Sequence, residues 1–119
     1  MSDQQFTDTK LWLRKRRSQR IELDVPVVVY RHPNDGPQFY ERTQTLVVNA
    51  HGALMALKDK VAPEQKLFVQ NIGSGEQQEC HVVYVQKELT GPTKVAVEFS
   101  RPAPSFWRIA YPPADWPAA

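Results

Sequence analysis

Residues 39–57 read FYERTQTLVVNAHGALMAL. Over 39–49 the residues alternate with a period of two, setting Tyr40, Arg42, Gln44, Leu46 and Val48 against Phe39, Glu41, Thr43, Thr45 and Val47. That period belongs to a strand with two distinct faces. AHG at 50–52 interrupts it and ALMAL at 53–57 resumes an apolar run, so the stretch reads as two strands joined by a short turn.

The same signature extends in both directions. Upstream, ELDVPVVVYRH (22–32) puts Val25, Val27 and Val29 on one face, and Pro26 marks either an edge strand or a strand's first residue. RHPNDGP then supplies turn residues. Downstream come KLFVQNI (66–72), QECHVVYVQK (78–87) and KVAVEF (94–99), separated by the loops GSGEQ and ELTGPT. In the 78–87 strand, alternation places Cys80, Val82 and Tyr84 opposite His81, Val83 and Val85. Six short strands without a long helical pattern predict an all-β protein, a sandwich or a six-stranded antiparallel β-barrel. Closure into a barrel is favoured because it removes edges that so small a sheet could not protect. The final stretch, SFWRIAYPPADWPAA (105–119), predicts one short helical turn over SFWRIA, ended by Pro112 and Pro113, with Phe106, Trp107 and Trp116 packed on the barrel. The expected organisation is an N-terminal arm (1–13), the barrel (14–100) and an aromatic, proline-rich tail (101–119).

A chain of 119 residues with 41% hydrophobic and 24% charged residues fits one folded domain. No run approaches the roughly 18 apolar residues of a membrane span, and MSDQQFTDTK lacks a signal-peptide core, so a cytoplasmic protein is expected. Cys80 is the only cysteine, which excludes a disulfide within the chain or a cysteine zinc site and predicts a buried or half-buried free thiol. His32, His51 and His81 lack metal-site spacing, and no phosphate loop, dinucleotide fingerprint or nucleophile elbow is present. Neither catalysis nor a cofactor or metal is expected.

Charge is the distinctive feature. The net charge is +2, yet Lys10, Arg14, Lys15, Arg16, Arg17 and Arg20 lie in a segment with no acid between Asp8 and Glu22, leaving nine basic against thirteen acidic residues elsewhere. Positive potential is thus gathered at one place, which suits an anionic ligand better than a nucleic acid spread over a whole face. Arginine adds geometry to charge: a planar guanidinium binds phosphate or the guanine O6/N7 edge with two parallel hydrogen bonds and stacks on bases. RRSQR (16–20) and VVNAHGALM (47–55) are therefore the candidate binding stretches. Asn49 offers a donor and an acceptor, and Gly52 permits close backbone approach or a positive φ.

Together these stretches resemble the PilZ domain family, whose pattern is Arg-x-x-x-Arg ahead of a first strand and Asp/Asn-x-Ser-x-x-Gly at the end of the second, on a six-stranded barrel. Arg16 and Arg20 match the first motif. Aligned on GALM, Gly52 falls on the motif glycine, Asn49 on the serine and Val47 on the Asp/Asn position. The resemblance covers about residues 14–100. It implies a receptor for cyclic di-GMP, with Arg16, Arg20, Asn49 and Gly52 at the ligand, and an unidentified downstream protein partner; beside these, Arg17 is a candidate for added attraction of the anion and His51 for a neighbouring polar contact. Val47 departs from the pattern, having no acceptor for guanine N–H groups; an unmet polar group in a buried contact costs about 1–3 kcal/mol. Two alternatives accompany this reading: a barrel of the same kind acting through protein contacts without the nucleotide, and a small RNA- or DNA-binding barrel.

Overall fold

The structure, a computed structural model, describes residues 18–32, 34, 36 and 39–116. Seven strands are formed: β1 (Ile21–Glu22), β2 (Pro26–Tyr30), β3 (Tyr40–Asn49), β4 (Gly52–Leu57), β5 (Lys66–Asn71), β6 (Gln77–Gln86) and β7 (Thr93–Phe99). They join antiparallel in the order β3-β2-β5-β6-β7-β4, and pairing of β4 with β3 closes six strands into a barrel. β1 is an extra two-residue strand lying on β3 beyond the start of β2. Among the described residues no helix is long and apolar enough to cross a membrane.

The expected first strand, 22–32, is in fact two. β1 pairs Ile21 with Val48 and Glu22 with Val47, whereas β2 begins with Pro26 opposite Gln44, one residue out of step. The Thr45 hydroxyl spans the break, donating to Leu23 C=O (2.6 Å) and accepting from Val25 N–H (2.9 Å). A polar side chain that replaces ladder bonds can be fully buried without penalty, and Thr45 is. Pro26 opens β2, a strand flanked on both sides, so of its two expected roles it takes the strand-start one.

Two bulges redirect side chains that strict alternation misplaces. Between Thr45 and Val47 the β3–β4 register shifts, so Thr45 and Val48 both enter the interior although the sequence sets them on opposite faces. Between Val82 and Tyr84 the β6–β7 register shifts likewise. Cys80 and Val82 stay in the core, while Tyr84 turns out opposite Ala96 and Val85 packs inward. The core is otherwise the expected one: Val25, Val27 and Val29 meet Met55, Leu67, Val69, Val95 and Val97 inside the barrel. Each such side chain contributes about 1.5–3 kcal/mol.

The tail closes one end of the barrel. Phe99, Phe106 and Trp107 form an aromatic cluster with ring centroids 4.8–5.7 Å apart, and Phe106, Trp107 and Trp116 are buried. The expected helical turn is not a helix: Phe106 N–H donates to Ala103 C=O and Arg108 N–H to Ser105 C=O, each at 3.1 Å, as consecutive turns. Arg108, at φ 58°, then reverses the chain, which a continuing helix could not do.

Gly52 sits where β4 meets β7. It pairs with Glu98, and a Cβ placed there would lie 2.0 Å from the Val97 carbonyl oxygen. The obstacle is backbone, so no side chain can swing away. Gly52→Ala is expected to cost at least about 3 kcal/mol by forcing β4 and β7 apart. Thermal unfolding should show this as a fall in Tm of about 12 °C or more; an unchanged Tm would refute the close approach.

Candidate functional site

The site is built on the turn from Asn49 to Gly52 that joins β3 to β4. Asn49 is buried, and its side chain shapes the turn: Oδ1 accepts from His51 N–H (2.8 Å), the local bond that lets asparagine imitate a backbone turn. Nδ2 donates to Ser18 C=O at 3.4 Å. The Ser18 hydroxyl accepts from Ala50 N–H (3.2 Å) and stands 3.1 Å from His51 Nδ1. Three hydrogen bonds therefore fasten the residue between the two motif arginines onto the turn more than 30 positions later.

The tail supports the same turn from behind. Trp107 Nε1 donates to Asn49 C=O (2.8 Å), Ala103 N–H to Ala50 C=O (2.8 Å) and Phe99 N–H to His51 C=O (2.7 Å). Every backbone carbonyl from Asn49 to His51 is thus engaged, and the turn is held rigidly at the barrel end. Trp107 also walls a cleft of about 530 Å³, lined with Val25, Asn71, Gly73, Ser74 and Arg108. Its polar groups are occupied: Asn71 bonds Phe106 C=O and Gly73 N–H, and Arg108 pairs with Glu76.

Of the residues singled out from sequence, Arg20, Asn49, His51 and Gly52 come together here. Arg20 is half-buried with its Nη1 shielded from water, His51 is half-buried, and Asn49 and Gly52 are buried. Arg16 and Arg17 lie outside the described residues. Gly52 serves through close approach, the first of its two expected uses, because β7 passes directly over it. Val47 faces out of the barrel, opposite Leu54 on β4 and Glu22 on β1. Directly paired residues on neighbouring strands share a face with Cβ atoms about 4.5–5.5 Å apart. The exposed Glu22 therefore places a carboxylate beside the position where the motif carries an acid or amide.

Sequence reasoning missed Ser18 and Asp115. Ser18 stands inside RRSQR, but its partner turn is 33 residues distant, and nothing in PPADWP marks Asp115 as the group that meets Gln19 N–H at 2.9 and 3.0 Å. Register on a closed barrel, not local pattern, makes both contacts.

No protein-family model matches the chain, and no curated protein matches it. Solved structures do. The Bacillus subtilis inhibitor of motility (MotI/DgrA) superposes with a TM-score of 0.52 at 19% identity, over 75% of this chain and 44% of that one. The PilZ domain of CeSA, from a cellulose-synthesizing bacterium, superposes with a TM-score of 0.50 at 15% identity, over 71% of this chain and 82% of that one. The chain thus spans less than half the length of the motility inhibitor. At these identities the likeness is one of fold, and the fold is PilZ-like.

Cys80 has no part in the site. Burial, with a smaller contribution from the neighbouring Glu79 charge, pushes its thiol up to about 12. From the ordinary value of 9.0 to about 12 the unfolded chain releases this proton and the folded chain keeps it, so stability falls as pH rises. The slope reaches about 1.4 kcal/mol per pH unit. Urea titrations between pH 8 and 11 should show a shallower decline for Cys80→Ala than for the parent; equal slopes would show that the thiol is not shielded.

Proposed function

We propose that this chain is a cyclic di-GMP receptor domain, in which Arg16 and Arg20 grip phosphate and guanine while the Asn49–Gly52 turn provides the floor. The observation that carries this reading is the docking of Ser18, two residues ahead of Arg20, on the Asn49–Gly52 turn at one barrel end. The PilZ-like fold supports it, as does the concentration of positive charge in a segment that precedes β1. A ligand with two phosphates and two guanines suits arginines, which can hold either group with paired hydrogen bonds and stack on the rings. In this reading Asn49 acts by shaping the turn, since its amide is engaged internally, and the half-buried His51, whose Nδ1 stands 3.1 Å from the Ser18 hydroxyl, helps to hold the segment on that turn. Glu22 supplies the acceptor that Val47 lacks, offering its carboxylate to guanine N–H donors from the paired position on β1.

A second reading, a barrel of this shape acting through protein contacts alone, is favoured by two observations: the internal engagement of Asn49 and the apolar Val47. Calorimetry separates the two. Titration with cyclic di-GMP should give saturable binding, and Arg20→Ala should weaken it by about 10- to 100-fold, the loss of a hydrogen bond to a charged group. The absence of heat at millimolar nucleotide would reject the receptor reading in favour of the second.

Glu22 has its own test. Glu22→Ala removes an exposed carboxylate, so its urea midpoint should match that of the parent while cyclic di-GMP affinity falls by about tenfold. Unchanged affinity would remove Glu22 from the site.

A further inference from the structure

The backbone just ahead of Arg20 is held from both sides. On one side Ser18 is bonded to the β3–β4 turn. On the other, the tail takes both backbone groups of Gln19: the Asp115 carboxylate accepts its N–H with both oxygens (2.9 and 3.0 Å), and Trp116 Nε1 donates to its C=O (2.7 Å). Gln19 immediately precedes Arg20, and its only backbone donor and acceptor are both committed to a segment 96 and 97 positions away. Gln19 and Asp115 are both exposed, so the bond between them does not serve to satisfy a buried group. The Trp116 ring, in contrast, is buried in the hydrophobic core, which anchors the tail and gives its indole N–H a fixed direction. The bond from a neutral amide to a carboxylate is of the stronger, charge-assisted kind.

We infer that Asp115 and Trp116 are positioning residues that latch the arginine segment, setting the backbone at Gln19 so that Arg20 is presented to the ligand in advance. A preorganised arginine does not have to be ordered when ligand arrives, and that saving appears as affinity. The inference rests on the receptor reading for its consequence, but the latch itself is a property of the chain alone. A competing role for Asp115 is an internal anion occupying the place of a ligand phosphate; it predicts the opposite sign.

The test uses the full chain and three variants: Asp115→Ala, Asp115→Glu and Trp116→Phe. The last keeps an aromatic ring in the core and removes the N–H donor. Native-state trypsin cleavage at the Arg20–Ile21 bond, followed by mass spectrometry, should accelerate about tenfold in Asp115→Ala and Trp116→Phe, as expected for losing one bond to a charged group or the indole bond. Asp115→Glu should restore most of the protection. For Asp115→Ala, global stability, read from urea midpoints, should not account for the change, because Asp115 is exposed; for Trp116→Phe the acceleration should exceed what its urea midpoint explains. Cleavage rates that are unchanged, or that merely follow global stability, would overturn the latch. In parallel titrations with cyclic di-GMP, Asp115→Ala should bind about tenfold more weakly than the parent, and tighter binding would overturn the positioning role. If the parent itself binds no nucleotide, the receptor reading fails, and the proteolysis result still decides the latch.

Discussion

The backbone of β4 meets that of β7 at Gly52, against the Val97 carbonyl, with no room for even one additional carbon. This approach starts the β4–β7 ladder, which runs without a register shift from Gly52 opposite Glu98 to Leu57 opposite Thr93. With β3 already paired to β4, that ladder closes the barrel and leaves no open edge in the six-strand ring. It also brings Phe99, the last residue of β7, under the β3–β4 turn, and Ala103, Trp107, Asp115 and Trp116 consequently reach the same barrel end.

The tail depends on that delivery. Residues 103–107 plug the barrel mouth with the Phe99–Phe106–Trp107 cluster, and Trp107 and Ala103 spend hydrogen bonds on the carbonyls of Asn49 and Ala50. Further on, Asp115 and Trp116 reach the backbone beside Arg20. A turn between two strands would ordinarily be among the softer parts of such a domain. Here it is supported by the N-terminal segment on one side and the C-terminal tail on the other, so the place where the candidate ligand residues gather is also one of the most heavily bonded.

That economy gives a physical account of the motif residues. The glycine at 52 is required by a backbone collision, and the asparagine at 49 by the need to satisfy a buried turn; both requirements hold whether or not a ligand is bound. The departure at Val47 is different in kind, because that side chain faces out of the barrel and no interior contact demands an acid there. Glu22, paired with Val47 by the two-residue strand β1, sets an exposed carboxylate on that face from another part of the chain.

The strands and most of the core were legible in the sequence because alternation in a half-buried strand directly records which side meets the interior. Val25, Val27 and Val29 occupy the face their spacing assigns, and the six main strands lie within a residue or two of their expected positions, apart from the division at Leu23–Val25. The family resemblance was readable from RRSQR and the NAHGALM stretch, since both are local patterns. What the alternation could not show were the three shifts of register, at Leu23–Val25, Thr45–Val47 and Val82–Tyr84. A bulge adds one residue to one strand to meet the curvature of its neighbours, and that mismatch exists only once the barrel is closed. The contacts of Ser18 and Asp115 belong to the same class: neither lies near its partner along the chain, and only barrel closure, with a tail folded back across the mouth, brings the two ends of the domain to one turn.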